Sequence, residues 1–403
     1  MLLDKLARVS SVLPLPCLAL PPWAGLAPGT GPGANRRGQQ AKTKTGVFRV
    51  NKMVAEKKKV FVALSGGVDS STTAALLTEA DFACESVFMI TSERNRHAQK
   101  DAEEVAKKLG IKLHVLDLRG EFERILDYLC SEYKRGRTPN PCVLCNRQIK
   151  FGRLWDFARD SGAEFLATGH YARLVRQNGQ VGLYEAADAA KDQSYALSMI
   201  DRNILPYLIL PMGGYLKKQT REMAARFGLG TEQKPESQEI CFIPGDDYAT
   251  VLEERCPEVA RKGRIVDSSG KLLGEHSGAH RFTIGQRRGL RVAMGKPYYV
   301  VKIDAESNTI TLGPKEELMH TQLWATGVNW LIPEPISPFR AKVKIRYNDK
   351  GASAEISPQQ HGVLADFDEP NRAITPGQVA AFYVQEGNNS RLVGGGWIER
   401  TAD

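Results

Sequence analysis

Five consecutive apolar residues, Val60 to Leu64, follow the charged run Lys57-Lys58-Lys59 and lead into Ser65-Gly66-Gly67-Val68-Asp69-Ser70-Ser71. An unbroken apolar run of this length predicts a strand buried on both faces, at the centre of a parallel sheet. The glycines predict a tight turn, and the apolar-periodic run to Leu77 predicts a helix after it. The pattern then repeats. Ser86–Ile90 and Lys112–Leu118 read as strands, and Phe165–Tyr171 as a strand entering a polar turn. His97–Leu109, stopped by Gly110, and Glu121–Arg135 read as helices. Strands alternating with helices predict a doubly wound α/β domain, whose ligands collect at the carboxyl ends of the strands.

After residue 170 the period changes. Arg173–Glu185 reads as a hairpin turning at Asn178-Gly179. Leu216–Phe227 reads as a basic amphipathic helix, ended by Gly228. From about Phe282 short alternating strands follow: Tyr298–Ile303, Thr309–Leu312, Arg340–Ile345, Ala354–Ile356, Gly362–Phe367, Gln378–Tyr383 and Arg391–Gly394. Turn residues separate them, which predicts a small β-barrel. The expected divisions are a tail over 1–52, a catalytic domain over 53–205, a small central domain over 206–280 and a barrel over 281–403.

Composition changes this picture only at the N-terminus. Of the net charge of +9, residues 1–52 contribute +7 and the other 351 residues only +2, so bulk charge names no partner. The proline-rich, nearly acid-free tail cannot build a core and is expected to be disordered. It reads as a transit-like segment or as an upstream start, with Met53 the working one. The expected location is therefore the cytoplasm, with a mitochondrion or plastid the alternative. No apolar run is long enough to span a bilayer, so no membrane is expected. Seven cysteines, an odd count with one Cys-x-x-Cys, suit a reducing compartment and thiols kept for chemistry or metal.

The candidate chemistry begins at the glycine turn. A glycine turn feeding a helix N-terminus aims backbone N–H groups and the positive end of the helix dipole at one point, which is a phosphate site. The loop is not a Walker loop, because no Gly-Lys-Ser/Thr follows. The second informative stretch is Asn140-Pro141-Cys142-Val143-Leu144-Cys145-Asn146, where two prolines (139 and 141) hold the chain extended. Asn146 is expected to cap the helix that follows. Cys145 would then lie beside a helix N-terminus near Arg147 and Lys150, a setting that favours thiolate.

The Ser-Gly-Gly-x-Asp-Ser loop resembles that of the PP-loop ATP pyrophosphatases. Further motifs follow in order: Asn140–Asn146, Ala167-Thr168-Gly169-His170-Tyr171, Lys191-Asp192-Gln193-Ser194-Tyr195, Ser237–Ile243, Thr283–Leu290 and Thr375-Pro376-Gly377-Gln378. Together they resemble the tRNA-specific 2-thiouridylases, the MnmA/TrmU family, over about Lys59 to Glu399. The resemblance implies an enzyme that adenylates the C2 oxygen of a tRNA wobble uridine with ATP and Mg²⁺, then replaces that oxygen with sulfur.

It also implies residue roles. Ala63, Leu64, Ser65, Gly66, Gly67, Val68, Asp69, Ser70, Met89 and Gly169 would bind ATP. Asn140, Pro141, Cys142, His170, Lys191, Asp192, Gln193, Arg346, Tyr347 and Gln378 would meet tRNA. Cys241 would carry a persulfide sulfur and Cys145 would be its partner thiol, supplied by a cysteine desulfurase or a sulfur-relay protein. One position departs from the family. Most members carry Asp where this chain has Cys142, and a thiol is a poor general base but a good soft-metal ligand. Cys142, Cys145 and Cys241 would give three thiolates to a [4Fe–4S] cluster with one iron open. A persulfide relay without iron is the alternative, and a Cys-x-x-Cys also suits a zinc half-site or a redox pair. Two rival readings remain: another PP-loop enzyme, or a non-catalytic Fe–S or zinc RNA-binding module.

Overall fold

A computed structural model describes residues 57–234, 248–290, 292, 295 and 297–402. The expected tail and the segment carrying Cys241 lie outside these residues. Everything described falls in one compact unit.

The first layer is the α/β domain. Strands β1 (Lys59–Ala63), β2 (Ala83–Ile90), β3 (Lys112–Asp117), β4 (Phe165–Ala167) and β7 (Leu208–Ile209) form a parallel sheet in the order β3-β2-β1-β4-β7. β1 is the central strand, as its unbroken apolar run predicts, and Val60, Phe61 and Val62 are fully buried. Helices α1 (Val68–Glu79), α2 (Arg96–Leu109) and α3 (Arg119–Lys134) connect the strands. Gly110 closes α2 in the left-handed conformation at φ 66°, where glycine carries no Cβ penalty. The strand order reverses between β1 and β4, so the glycine loop stands at the topological switch point.

Two expected boundaries shift. β7 completes the parallel sheet, and α6 (Lys217–Arg226) packs on α1, with Ala224 and Leu229 joining the core around Val60 and Leu77. The stretch expected to open a central domain at 206 thus belongs to the first one. At the other boundary, β10 (Tyr299–Asp304) and β11 (Thr309–Gly313) leave the barrel. They pair instead with β8 (Gly263–Asp267) and β9 (Leu272–His276) in a separate four-stranded sheet. Both errors share a cause: periodicity gives an element its type and says nothing of which sheet it joins.

The barrel closes from β12 (Met319–Trp330), β13 (Phe339–Lys344), β14 (Ala352–Gln359), β15 (Gly362–Arg372), β16 (Val379–Glu386) and β17 (Asn389–Ala402), with β12 pairing to β17. The hairpin β5 (Arg173–Gln177) and β6 (Gln180–Tyr184) turns at Asn178-Gly179 as predicted, both at positive φ. It extends the barrel sheet through β17, with Leu392 opposite Leu183. A strand pair of the first domain is thereby built into the last.

Candidate active site

The glycine loop is held by its own side chains. The Leu64 N–H donates to the Val87 carbonyl at 2.9 Å, continuing the sheet one residue past β1. The Ser70 hydroxyl accepts from the Ser65 N–H and donates to the Gly67 carbonyl, both at 3.1 Å, and the Ser71 hydroxyl donates to that carbonyl at 2.8 Å. Gly67 stands at the helix N-cap, so no side chain caps the start of α1. The first-turn amides are therefore presented to a ligand. Gly66 cannot be replaced: its φ is 77°, and a Cβ there would lie 2.6 Å from the Asp101 Cβ. Gly169, just after β4, packs as tightly. A Cβ on it would lie 2.8 Å from the Ser70 N and 2.9 Å from the Asp69 carbonyl carbon. Met89 lies at the end of β2, half-buried against the core, with its carbonyl accepting from the Asn95 amide.

Asp69 organises the mouth of the loop. Lys217 Nζ donates to its two carboxylate oxygens at 2.7 and 2.8 Å, and the Tyr171 hydroxyl donates to Oδ1 at 2.9 Å. Burial beside that carboxylate pushes the Tyr171 phenol well above its ordinary range. The Tyr171 hydroxyl is also 2.9 Å from Thr220 Oγ1 on α6. Sequence reasoning missed Lys217, because nothing local pairs the first residue of a surface-like basic helix with an aspartate 148 positions earlier. Lys234 was missed as well. Its ammonium contacts the Gly66 carbonyl at 3.3 Å and Asp101 at 2.8 Å.

The cysteine segment forms one helical rod: α4 (Pro141–Cys145), a π-helical stretch over Asn146–Arg153, and α5 (Leu154–Asp160). Here the expected cap is corrected. Asn140, not Asn146, is the N-cap, its side-chain oxygen accepting from the Val143 N–H at 3.2 Å. Asn146 lies inside the rod and donates to the Ala196 carbonyl at 2.9 Å. The cysteine nearer the helix start is therefore Cys142, which is exposed, whereas Cys145 is buried one turn later. Three apart on a helix, the two thiols share a face. Among the described residues no group of three or more His, Cys, Asp or Glu is placed to hold a metal. Cys241 lies outside them.

The structure also locates the residues expected to meet RNA. His170 is buried, 2.7 Å from Thr168 Oγ1, and burial together with Lys150 holds its imidazole well below the usual histidine range. Gln378 donates to the carbonyls of Thr138 and Pro139 at 2.9 and 3.2 Å, which docks the barrel on the segment leading to Asn140 and Pro141. Asp192 and Gln193 face inward. The Asp192 carboxylate accepts from Ala186 N–H, Ser194 N–H and Ser194 Oγ, and Gln193 Oε1 accepts from the Tyr171 N–H. Lys191 is half-buried beside them. Arg346 and Tyr347 are exposed beyond β13, on a turn that Asp349 braces.

Residues 58–245, 249–314 and 320–398 match three family descriptions: the tRNA methyl transferase HUP domain, the tRNA methyl transferase PRC-barrel domain and the aminomethyltransferase beta-barrel domain. The chain is 45% identical over 368 residues to the tRNA-specific 2-thiouridylase MnmA of Carboxydothermus hydrogenoformans, covering 86% of this chain and 99% of that protein. The chain belongs to the tRNA-specific 2-thiouridylase family. The MnmA of Desulforudis audaxviator is similar over 84% of this chain and 98% of its own length, again at 45% identity. That of Syntrophotalea carbinolica is 43% identical over 86% of this chain and all of its own. In this 2-thiouridylase, Lys234 is anchored on the glycine loop, and Leu252 of α7 (Tyr248–Arg255) shares a core with Cys145.

Proposed function

We propose that the protein is an ATP-dependent tRNA-uridine 2-sulfurtransferase. It adenylates the C2 oxygen of the wobble uridine and replaces it with sulfur, yielding 2-thiouridine, AMP and pyrophosphate. The observation that carries this reading is the uncapped helix start at the switch point, ringed by Ser65, Ser70 and Asp69, on a chain that matches 2-thiouridylases along nearly their whole length. A uridine carbonyl oxygen is a poor leaving group, and adenylation turns it into one that departs as AMP. The amides after Gly67 and the loop hydroxyls would hold the pyrophosphate as it leaves. Ala63, Leu64 and Val68 would shape the nucleotide pocket, with Met89 and Gly169 along the adenosine.

Sulfur would reach C2 from a persulfide on Cys241, with Cys145 as the partner thiol. In sequence, Cys241 falls between Lys234, which contacts the glycine loop, and Leu252, which shares a core with Cys145, and this favours such a meeting. Asp69 offers Mg²⁺ a carboxylate about one-third exposed, and a bound Mg²⁺ would neutralise phosphate charge there. In the alternative to that relay, Cys142, Cys145 and Cys241 would instead hold a [4Fe–4S] cluster. The shared helical face of the first two fits this, and a bound cluster would supply an iron for sulfide. A cysteine desulfurase or relay protein would donate the sulfur. RNA would lie across Asn140-Pro141-Cys142, Lys191 and Arg346-Tyr347, on the first domain and the barrel, with His170, Asp192, Gln193 and Gln378 behind that surface as its support. The bacterial relatives favour a cytoplasmic setting.

The test is pyrophosphate release measured with and without unmodified tRNA. Release that depends on a wobble-uridine tRNA supports the reading. Release indifferent to tRNA points to another ATP-consuming activity. A methyl transfer, the activity named in two of the family descriptions, would release none.

A further inference from the structure

Hydrogen bonds from the barrel end on residues 185–194, which the first domain sends along the barrel wall, and two arms of bonds run from that same segment to one carboxylate. At the barrel end, the buried Lys344 of β13 donates to Glu185 at 2.6 Å and to Asp192 at 3.4 Å. Burial alone would raise the Glu185 carboxyl, but Lys344 beside it holds it below its ordinary value. The Tyr383 hydroxyl of β16 lies 3.0 Å from Ser194 Oγ, which itself donates to Asp192 at 2.8 Å. Arg346 and Tyr347, exposed, follow Lys344 by two and three positions.

From this segment one arm runs through Gln193. Its N–H donates to the Tyr171 carbonyl at 2.7 Å, and its side chain accepts the Tyr171 N–H at 2.9 Å. Tyr171 is thus gripped at both backbone groups, and its hydroxyl ends on Asp69. The other arm runs through Asp188, whose Oδ2 accepts the Lys217 backbone N–H at 2.9 Å, and Lys217 Nζ also ends on Asp69. An element that moves either arm pulls on a partner of Asp69, the one acidic side chain of the glycine loop.

We infer that Tyr171 and Lys217 are positioning residues that make the glycine loop respond to RNA held against residues 185–194 and the barrel. The inference rests on the proposed tRNA substrate. Its physical content is a coupling free energy between two binding sites, and linkage requires the coupling to be mutual. The meeting of both sets of bonds on one short segment motivates it, and a measured coupling decides it. The arrangement suits an enzyme whose adenylating power would be wasted on water without RNA in place.

The experiment uses the full chain, α,β-methylene-ATP as the nucleotide probe and an unmodified tRNA transcript. The affinity for the probe is measured with and without saturating tRNA. The wild type should bind it about fivefold or more tightly with tRNA present, the lower end of usual allosteric couplings. Tyr171→Phe keeps the buried ring and loses only the hydroxyl, and should bring the ratio below about twofold while tRNA affinity stays unchanged. Lys217→Gln should also lower the ratio. Ser86→Ala removes the hydroxyl bond of a fully buried residue in the parallel sheet, to the Lys112 carbonyl, and should keep the wild-type ratio. A wild-type ratio of one, a Tyr171→Phe ratio equal to the wild type's, or a ratio lost equally in Ser86→Ala would overturn the inference. If the wild type bound no tRNA, the proposed function itself would fail, a different result from the loss of coupling.

Discussion

Among the aspartate–lysine pairs of the described residues, two share the same chemistry in opposite situations. Asp192 with Lys344 lies at the junction of hairpin and barrel, its side chain 7% exposed. Asp69 with Lys217 stands at the mouth of the glycine loop, 31% exposed. The first carboxylate is saturated by two backbone amides, a hydroxyl and an ammonium, while the second keeps a face toward solvent. The saturated pair acts as a joint, because loss of either partner strands a buried charge. The open pair can exchange partners when a ligand arrives. Openness, rather than residue type, separates a structural ion pair from a functional one.

Four substitutions or conditions would break or sharpen that contrast. The largest effect should come from Asp69→Asn, which keeps the shape of the open pair but removes its charge. Pyrophosphate release should fall by about a hundredfold or more, with the thermal midpoint little changed. Lys344→Met at the closed pair should cost stability first. Unfolding in urea should show about 3–5 kcal/mol lost, the usual cost of orphaning a buried charge. Next comes Gly169→Ala, which drives a methyl into the backbone that presents Asp69 and Ser70. We expect about 1–3 kcal/mol of strain, together with weaker nucleotide binding. The smallest effect is a pH slope. His170 is held neutral below its unfolded value, so the unfolded chain binds the extra proton, and stability should fall as pH drops below about 6.5. A urea midpoint flat between pH 7 and pH 5.5 would contradict this.

The same contrast explains what the sequence made legible. The glycine loop, the Gly110 stop and the Asn178-Gly179 turn are set by residues a few positions apart, so local pattern was enough. The central place of β1 followed from its unbroken apolar run. Long-range partnerships carried no such signal. Lys217 gave no sign of Asp69, and nothing in the strand pattern of 299–313 separated it from the barrel. Asn146 looked like a cap because its type favours one, yet Asn140, with proline directly after it, took the position. Asp192 and Gln193 stood out within a motif, but only the fold shows their polar atoms turned inward toward Ser194 and Tyr171.

The account stands on sulfur chemistry at an adenylated uridine. It is tested most directly by mass spectrometry of tRNA nucleosides after incubation with ATP, a cysteine desulfurase and cysteine, comparing the wild type with Cys145→Ala. We predict 2-thiouridine from the wild type and none from the variant, while tRNA-dependent pyrophosphate release persists in both. Undiminished 2-thiouridine from Cys145→Ala, or none from the wild type, would contradict the account.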